Sequence, residues 1–294
     1  MEATRSTAAL PSGPVSYLEW RPATGADASV VVLLHGGGLD SAWLSWGEVG
    51  AELAATGHRV LAPDHPGYGN SPRAPWRATQ DRLLGYVAAF TAALGLERYA
   101  LAGLSLGGGL AIGHALEHPG RVRGLVLLGS YGLQPTLVEG ALRVPAQLAS
   151  WAAVRTGLLQ AATRASALDR RLLERSLRPV LRDSARRTPE LLDAVEAEAR
   201  RGSGLEVFAE WQRAEVGLRR QSTDYSARLV RIRAPTLFVH GERDSGVPAA
   251  VAERAAASMP DARAIVVPGA GHWVQRDRPD VVVPAMAEHL AALG

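Results

Sequence analysis

An α/β fold, with a mostly parallel sheet covered by helices on both faces, is what this chain predicts. Three observations carry the prediction. Short aliphatic runs alternate with helical patterns in a βαβ rhythm, the pattern of strands buried on both faces of a sheet. Two of those runs end in glycine-rich turns, His35-Gly36-Gly37-Gly38 and Gly103-Leu104-Ser105-Leu106-Gly107. The rhythm then breaks between about Tyr131 and Asp224, where Ala, Leu, Arg and Glu recur at helical spacing.

In chain order, residues 15–20 read as an early edge strand. Residues 30–34 are a continuous aliphatic run and predict a buried strand entering the first glycine loop. Residues 59–62 begin the next strand, which Pro63 breaks because it offers no ladder donor. Residues 99–103, 122–128, 236–240 and 264–267 follow as further strands, with helical patterns over 80–94, 107–117, 249–258 and 279–293. Inside the break, Val154, Leu158 and Leu159 share one helix face, as do Leu172, Leu173 and Leu177. Surface helices packed on the sheet would share this pattern, but a position between two core strands favours an inserted lid. The expected division is a core of residues 1–130 and 225–294 and a helical cap of residues 131–224. No internal repeat or low-complexity linker interrupts it.

Composition narrows the classes. At 294 residues the chain is long for one domain but suits a single α/β unit with an insertion. Its 47% hydrophobic content can fill a large core, which excludes disorder as a reading of the whole. There are no cysteines, so disulfides, thiolate nucleophiles and zinc–thiolate sites are excluded. All 32 basic side chains are arginine, and a net charge of +3 is small for this length. The high pI therefore reflects arginine's pKa, and without a binding motif no nucleic-acid partner is expected. Residues 1–14 lack the apolar core of a signal peptide, and no run approaches the ~20 apolar residues of a membrane span. The expectation is a cytoplasmic protein without a membrane partner. No sustained heptad assigns an oligomeric state.

The chemistry sits at the turns. Gly103-Leu104-Ser105-Leu106-Gly107 follows a predicted strand and opens a predicted helix, the context of a nucleophile elbow. The bend lifts the Ser105 hydroxyl clear of the sheet at a helix N-terminus, where the dipole favours developing negative charge. The His35-Gly36-Gly37-Gly38 loop can supply a second backbone donor, so Gly37 and Leu106 are the expected oxyanion hole. A phosphate-cradling loop is the competing reading, but no lysine or dinucleotide fingerprint accompanies it. Of eight histidines, only His272 lies on a loop after a late strand, in Gly269-Ala270-Gly271-His272. Asp244 follows the 236–240 strand and precedes His272, which yields the order Ser–Asp–His; Glu242 is its nearest rival. After the 122–128 strand the chain reads Gly129-Ser130-Tyr131, without a carboxylate.

These four motifs in this order resemble the α/β-hydrolase superfamily over essentially the whole chain. Further likenesses are Asp64-His65-Pro66-Gly67-Tyr68-Gly69-Asn70-Ser71 and Gly271-His272-Trp273. The resemblance implies an eight-stranded mostly parallel sheet with a cap over the site, and makes Asp64 structural. Relatives with an aspartate nucleophile, the haloalkane dehalogenases and epoxide hydrolases, are disfavoured by Ser105. Carbon–carbon-bond hydrolases acting on vinylogous diketones from aromatic ring cleavage share the histidine loop but usually place Asn before the serine, where this chain has Leu104. The first expectation is therefore a serine hydrolase of an ester, thioester or lactone, working through an acyl-enzyme. Carbon–carbon hydrolysis is the alternative, and a ligand-binding receptor on the same fold is the alternative outside catalysis. No metal or other cofactor is expected. The expected partner is a small, largely apolar acyl substrate, with Gly38, Leu133, Leu137, Val138, Trp151 and Trp273 as candidate pocket residues.

Overall fold

A computed structural model describes residues 1–23 and 29–293. Eight strands form one sheet: β1 (Thr4–Leu10), β2 (Gly13–Trp20), β3 (Val30–Leu34), β4 (Arg59–Pro63), β5 (Tyr99–Leu104), β6 (Val122–Leu128), β7 (Thr236–Gly241) and β8 (Ala262–Val267). Their order is β1-β2-β4-β3-β5-β6-β7-β8. β1, β2 and β4 pair antiparallel and every later pairing is parallel.

Residues 15–20 are thus not an edge strand: β2 lies between β1 and β4, and β1 forms the edge. β1 was missed because it reads Thr-Arg-Ser-Thr-Ala-Ala-Leu, mostly exposed and poor in β-branched apolar residues. Pro63 ends β4 without breaking it earlier, since the last position of a strand tolerates a missing donor.

The helices are α1 (Ala42–Ala55), α2 (Gln80–Ala93), α3 (Leu106–Glu117), α4 (Arg143–Arg155), α5 (Leu158–Leu168), α6 (Arg170–Leu177), α7 (Pro189–Arg201), α8 (Ser203–Glu215), α9 (Ala249–Ala257), α10 (Val274–Asp277) and α11 (Pro279–Ala291). Alternation along the central strands divides the core into two clusters. Val32, Leu34, Leu101, Leu125 and Leu127 face α2, α3 and α9, whereas Val31, Leu33, Ala102, Val126 and Leu128 face α1 and α11.

Helices α4–α8 lie between β6 and β7 and supply no strand to the sheet. Val207 and Trp211 of α8 join the first cluster; Leu173 and Leu177 of α6 and Leu191, Leu192 and Val195 of α7 join the second. The inserted helices are therefore packed on both clusters. The parallel strands direct their C-terminal ends, and the loops that follow, toward one edge of the sheet.

Candidate active site

Ser105 occupies the one-residue bend between β5 and α3, with φ 52° and ψ −114°. Among the described residues it is the only non-glycine with positive φ. Such a conformation costs of order 1–3 kcal/mol and persists only where its surroundings impose it. They do so here on both sides. Ser105 N donates to Leu128 O at 2.9 Å, and Ser105 O accepts from Tyr131 N and Gly109 N at 3.0 and 3.1 Å. The flanking glycines allow the close approach: a Cβ at Gly103 would stand 2.2 Å from Gly107 O, and one at Gly107 2.2 Å from Leu34 O. Leu106 and the residues after it begin α3, whose first N–H groups have no intrahelical acceptors.

The glycine loop after β3 is held by a chain of neutral groups. His65 N donates to His35 Nε2 at 2.9 Å, so His35 carries its proton on Nδ1 and donates to Gly36 O at 2.8 Å. His65 Nε2 in turn donates to His35 O, leaving Nδ1 to accept from Tyr86 OH. Burial pushes His35 down to about 3 and lowers His65 as well, so both rings stay neutral at ordinary pH. Asp40 closes the loop: Oδ2 accepts from Gly36 N and Ser45 Oγ, both at 2.7 Å, and Oδ1 from Ser41 N at 2.8 Å. Asp64, expected to be structural, is buried and accepts from Ala42 N, Asn70 N and Arg5 Nη1.

Asp244 and His272 come from loops after β7 and β8 and meet at 2.8 Å between Oδ2 and Nδ1. The carboxylate can only accept, so Nδ1 carries the proton and Nε2 keeps a lone pair, the form a general base requires. Asp244 Oδ1 accepts from Gly246 N and Val247 N at 2.7 and 3.0 Å. Burial opposes charge on Asp244, but hydrogen bonds from His240 and His272 outweigh it and hold the carboxyl well below the usual range. Glu242, the rival acid, instead accepts from Gly269 N.

His272 and Asp244 lie against Gly129, the residue after β6, and Ser105 is tied to the residue before it. A Cβ at Gly129 would sit 3.0 Å from the imidazole, while Ser105 N is bonded to the neighbouring Leu128 O. Among the hydrogen bonds of the described residues, none joins Ser105 Oγ to the ring.

Besides Asp40, two contributors escaped sequence reasoning. His240, the penultimate residue of β7, is buried with Nε2 2.7 Å from Val247 O and 3.2 Å from Asp244 Oδ2. Both neighbours are acceptors, so Nε2 bears a proton shared between them. Phe208 of α8 lies on the glycine loop, where a Cβ at Gly37 would meet its ring at 2.2 Å. It stacks on Trp211 at 5.5 Å, and Trp211 meets Tyr131 edge-on at 4.8 Å. The signal for Phe208 and Trp211 was their i, i+3 spacing on one helix; nothing local indicates what they cover.

Of the expected pocket residues, Leu133 and Leu137 line a small cavity of about 40 Å³ with Ser130, Tyr131, Gly246 and Val247, beside the Asp244 loop. Gly38 sits under Phe208, with a Cβ there in ordinary contact with the ring. Val138 is exposed, Trp151 half-buried on α4, and neither lines that cavity. Trp273 does not line that cavity either: its side chain is buried in the second core cluster, and its backbone N–H donates to Val180 O at 2.9 Å. Among the described residues no three His, Asp or Glu side chains converge as a metal site. No helix among the described residues is long and apolar enough to cross a membrane.

A family model described as alpha/beta hydrolase fold matches residues 29–279. A 2-hydroxy-6-oxononadienedioate/2-hydroxy-6-oxononatrienedioate hydrolase of Cupriavidus pinatubonensis (strain JMP 134 / LMG 1197) is 32% identical over 255 residues, 86% of this chain and 83% of that protein. A 2-hydroxymuconate semialdehyde hydrolase of Pseudomonas sp. (strain CF600) is 33% identical over 248 residues, 83% of this chain and 81% of the relative. Among solved structures, a thermophilic esterase from Thermogutta terrifontis superposes with a TM-score of 0.73 over 99% of both chains at 24% identity, a likeness of fold.

Proposed function

The chain belongs to the alpha/beta hydrolase fold family, and on that premise we propose a serine hydrolase that cleaves the carbon–carbon bond of a vinylogous 1,5-diketone. The observation that carries the choice of bond is the sequence likeness, above 30% over more than four-fifths of the chain, to hydrolases of 2-hydroxy-6-oxo and 2-hydroxymuconate compounds. The choice of mechanism rests on the Asp244–His272 hydrogen bond and the strained Ser105 at the same sheet edge.

In this reading His272 Nε2 takes the Ser105 proton as Oγ attacks the ketone carbonyl. The N–H groups of Gly37 and Leu106 hold the oxyanion. When the carbonyl re-forms, the carbon–carbon bond breaks and its electron pair leaves on the vinylogous carbon, where conjugation spreads the charge onto the second carbonyl. The proton on His272 follows that carbon. Water, activated by the same imidazole, then releases the acyl group from Ser105 as a carboxylic acid. Residues 131–224 act as a cap that closes over Ser105 and excludes bulk water, with Phe208 and Leu133 on the substrate side.

A second reading, hydrolysis of an ester, thioester or lactone, is favoured by one observation. Leu104, fully buried before the nucleophile, offers no polar group where the carbon–carbon hydrolases usually carry Asn. The test compares a vinylogous 1,5-diketone with p-nitrophenyl acetate and butyrate, for wild type and Ser105→Ala. The expected result is a preference for the diketone of ~10²-fold or more in kcat/KM, with Ser105→Ala losing ~10⁴-fold or more. A preference for the esters overturns the choice of bond, and equal rates in the two proteins overturn the nucleophile.

A further inference from the structure

A groove of about 570 Å³ opens at the junction of α4, the loop after β6 and the segment following α8. Its volume lies within the range of small-molecule sites. Val144, Leu148 and Leu218 form its apolar wall and are 58%, 42% and 45% exposed. Arg143, Arg219 and Arg220 line it as well, and no carboxylate does; Arg220 Nε donates to Gln221 O at 3.4 Å.

Three features distinguish this place from an ordinary arginine-rich surface. First, three arginines without an ion-pair partner among the described residues line one groove that no carboxylate enters, whereas Arg73, Arg170, Arg186 and Arg254 each lie against a carboxylate. Second, the base is tied together by hydrogen bonds. Gln147 is buried, donates to Gly217 O at 2.7 Å and accepts from Leu137 N at 3.3 Å, tying α4 to both loops. Third, Thr136 lines both this groove and the small cavity beside the Asp244 loop, so the two are separated by one stretch of chain.

Uncompensated positive charge beside an apolar wall selects a ligand with complementary parts, a carboxylate at one end and a hydrocarbon at the other. Guanidinium binds carboxylate through charge-assisted, bidentate hydrogen bonds, and the wall removes the hydrocarbon from water. We propose that this groove is a binding site for apolar carboxylates at the mouth of the cap. Such molecules are also what the proposed reaction consumes and releases. That link rests on the reading above; the binding itself does not.

The probe is octanoate, titrated calorimetrically into wild type, an Arg143→Gln/Arg219→Gln/Arg220→Gln variant, Leu148→Gln and Arg254→Gln. Binding requires no turnover, so its failure is separable from failure of the hydrolytic reading. The expected result is saturable binding, weakened at least ~10-fold in the triple variant and in Leu148→Gln and unchanged in Arg254→Gln. Octyltrimethylammonium, with the same chain and the opposite charge, is expected not to bind. The three arginines make no internal ion pairs, so the triple variant is expected to keep the wild-type circular dichroism spectrum. Octanoate binding unchanged in the triple variant, equal binding of the cation, or no saturable binding in wild type would each overturn the proposal. So would dimerisation through this face that excludes octanoate in sedimentation.

Discussion

At Asp244 a single buried carboxylate accepts from two backbone N–H groups and two imidazoles. His272 is thereby oriented, while His240 draws on the same oxygen, Oδ2. A carboxyl held below its ordinary range contributes stability that is present above the unfolded pKa and lost as pH falls through the folded value. His240→Phe keeps the buried ring but removes one donor, so the folded pKa of Asp244 rises. Acid unfolding followed by circular dichroism is expected to begin at a higher pH in the variant than in wild type. An unchanged acid midpoint would show that the two backbone donors and His272 suffice.

The glycine loop, as an element, depends on a second buried carboxylate with the opposite behaviour. Burial raises Asp40 from 3.8 to about 6, against the pull of hydrogen bonds from Ser45, Ser41 and Gly36. A raised folded pKa means that the associated stability is full below pH ~4 and declines as pH climbs through about 6. The difference corresponds to about 3 kcal/mol. Asp40→Asn cannot ionise, so urea midpoints measured from pH 4.5 to 7.5 are expected to fall for wild type relative to the variant. Because Asn cannot receive Ser41 N and Gly36 N alike, kcat/KM is also expected to drop by ~10-fold or more as Gly37 loses its support. A parallel pH dependence in both proteins would assign the titration to another group.

Across the whole molecule, the inserted helices are seated on the core by two kinds of contact. Arg73 bridges Glu206 and Glu210 at the surface, at 2.6 and 2.5 Å. Beneath them Trp211 is buried, donates to Gln80 Oε1 at 3.0 Å and packs against Phe208 and Tyr131. Exposed ion pairs contribute about 0–1 kcal/mol, whereas truncating a buried tryptophan costs about 3–5 kcal/mol. Arg73→Ala is accordingly expected to leave the thermal midpoint nearly unchanged, and Trp211→Ala to lower it by several degrees with loss of activity. The reverse order would mean that the surface pairs hold the inserted helices in place.

Residues 30–34, 99–103 and 122–128 announced themselves as strands because continuous aliphatic runs belong in a parallel sheet, and the elbow because its glycines mark a bend no larger residue fits. Those local patterns determined the fold class and singled out Ser105, Asp244 and His272. β1 stayed hidden because its side chains carry little apolar signal, and its place at the edge depends on pairing with β2. His240, Asp40 and Phe208 stayed hidden for a related reason. A buried polar side chain or a helix aromatic has no local pattern that names its partner. Only the tertiary structure, by closing β7 against Asp244, α1 against the glycine loop and α8 over Gly37, decided what each of them touches.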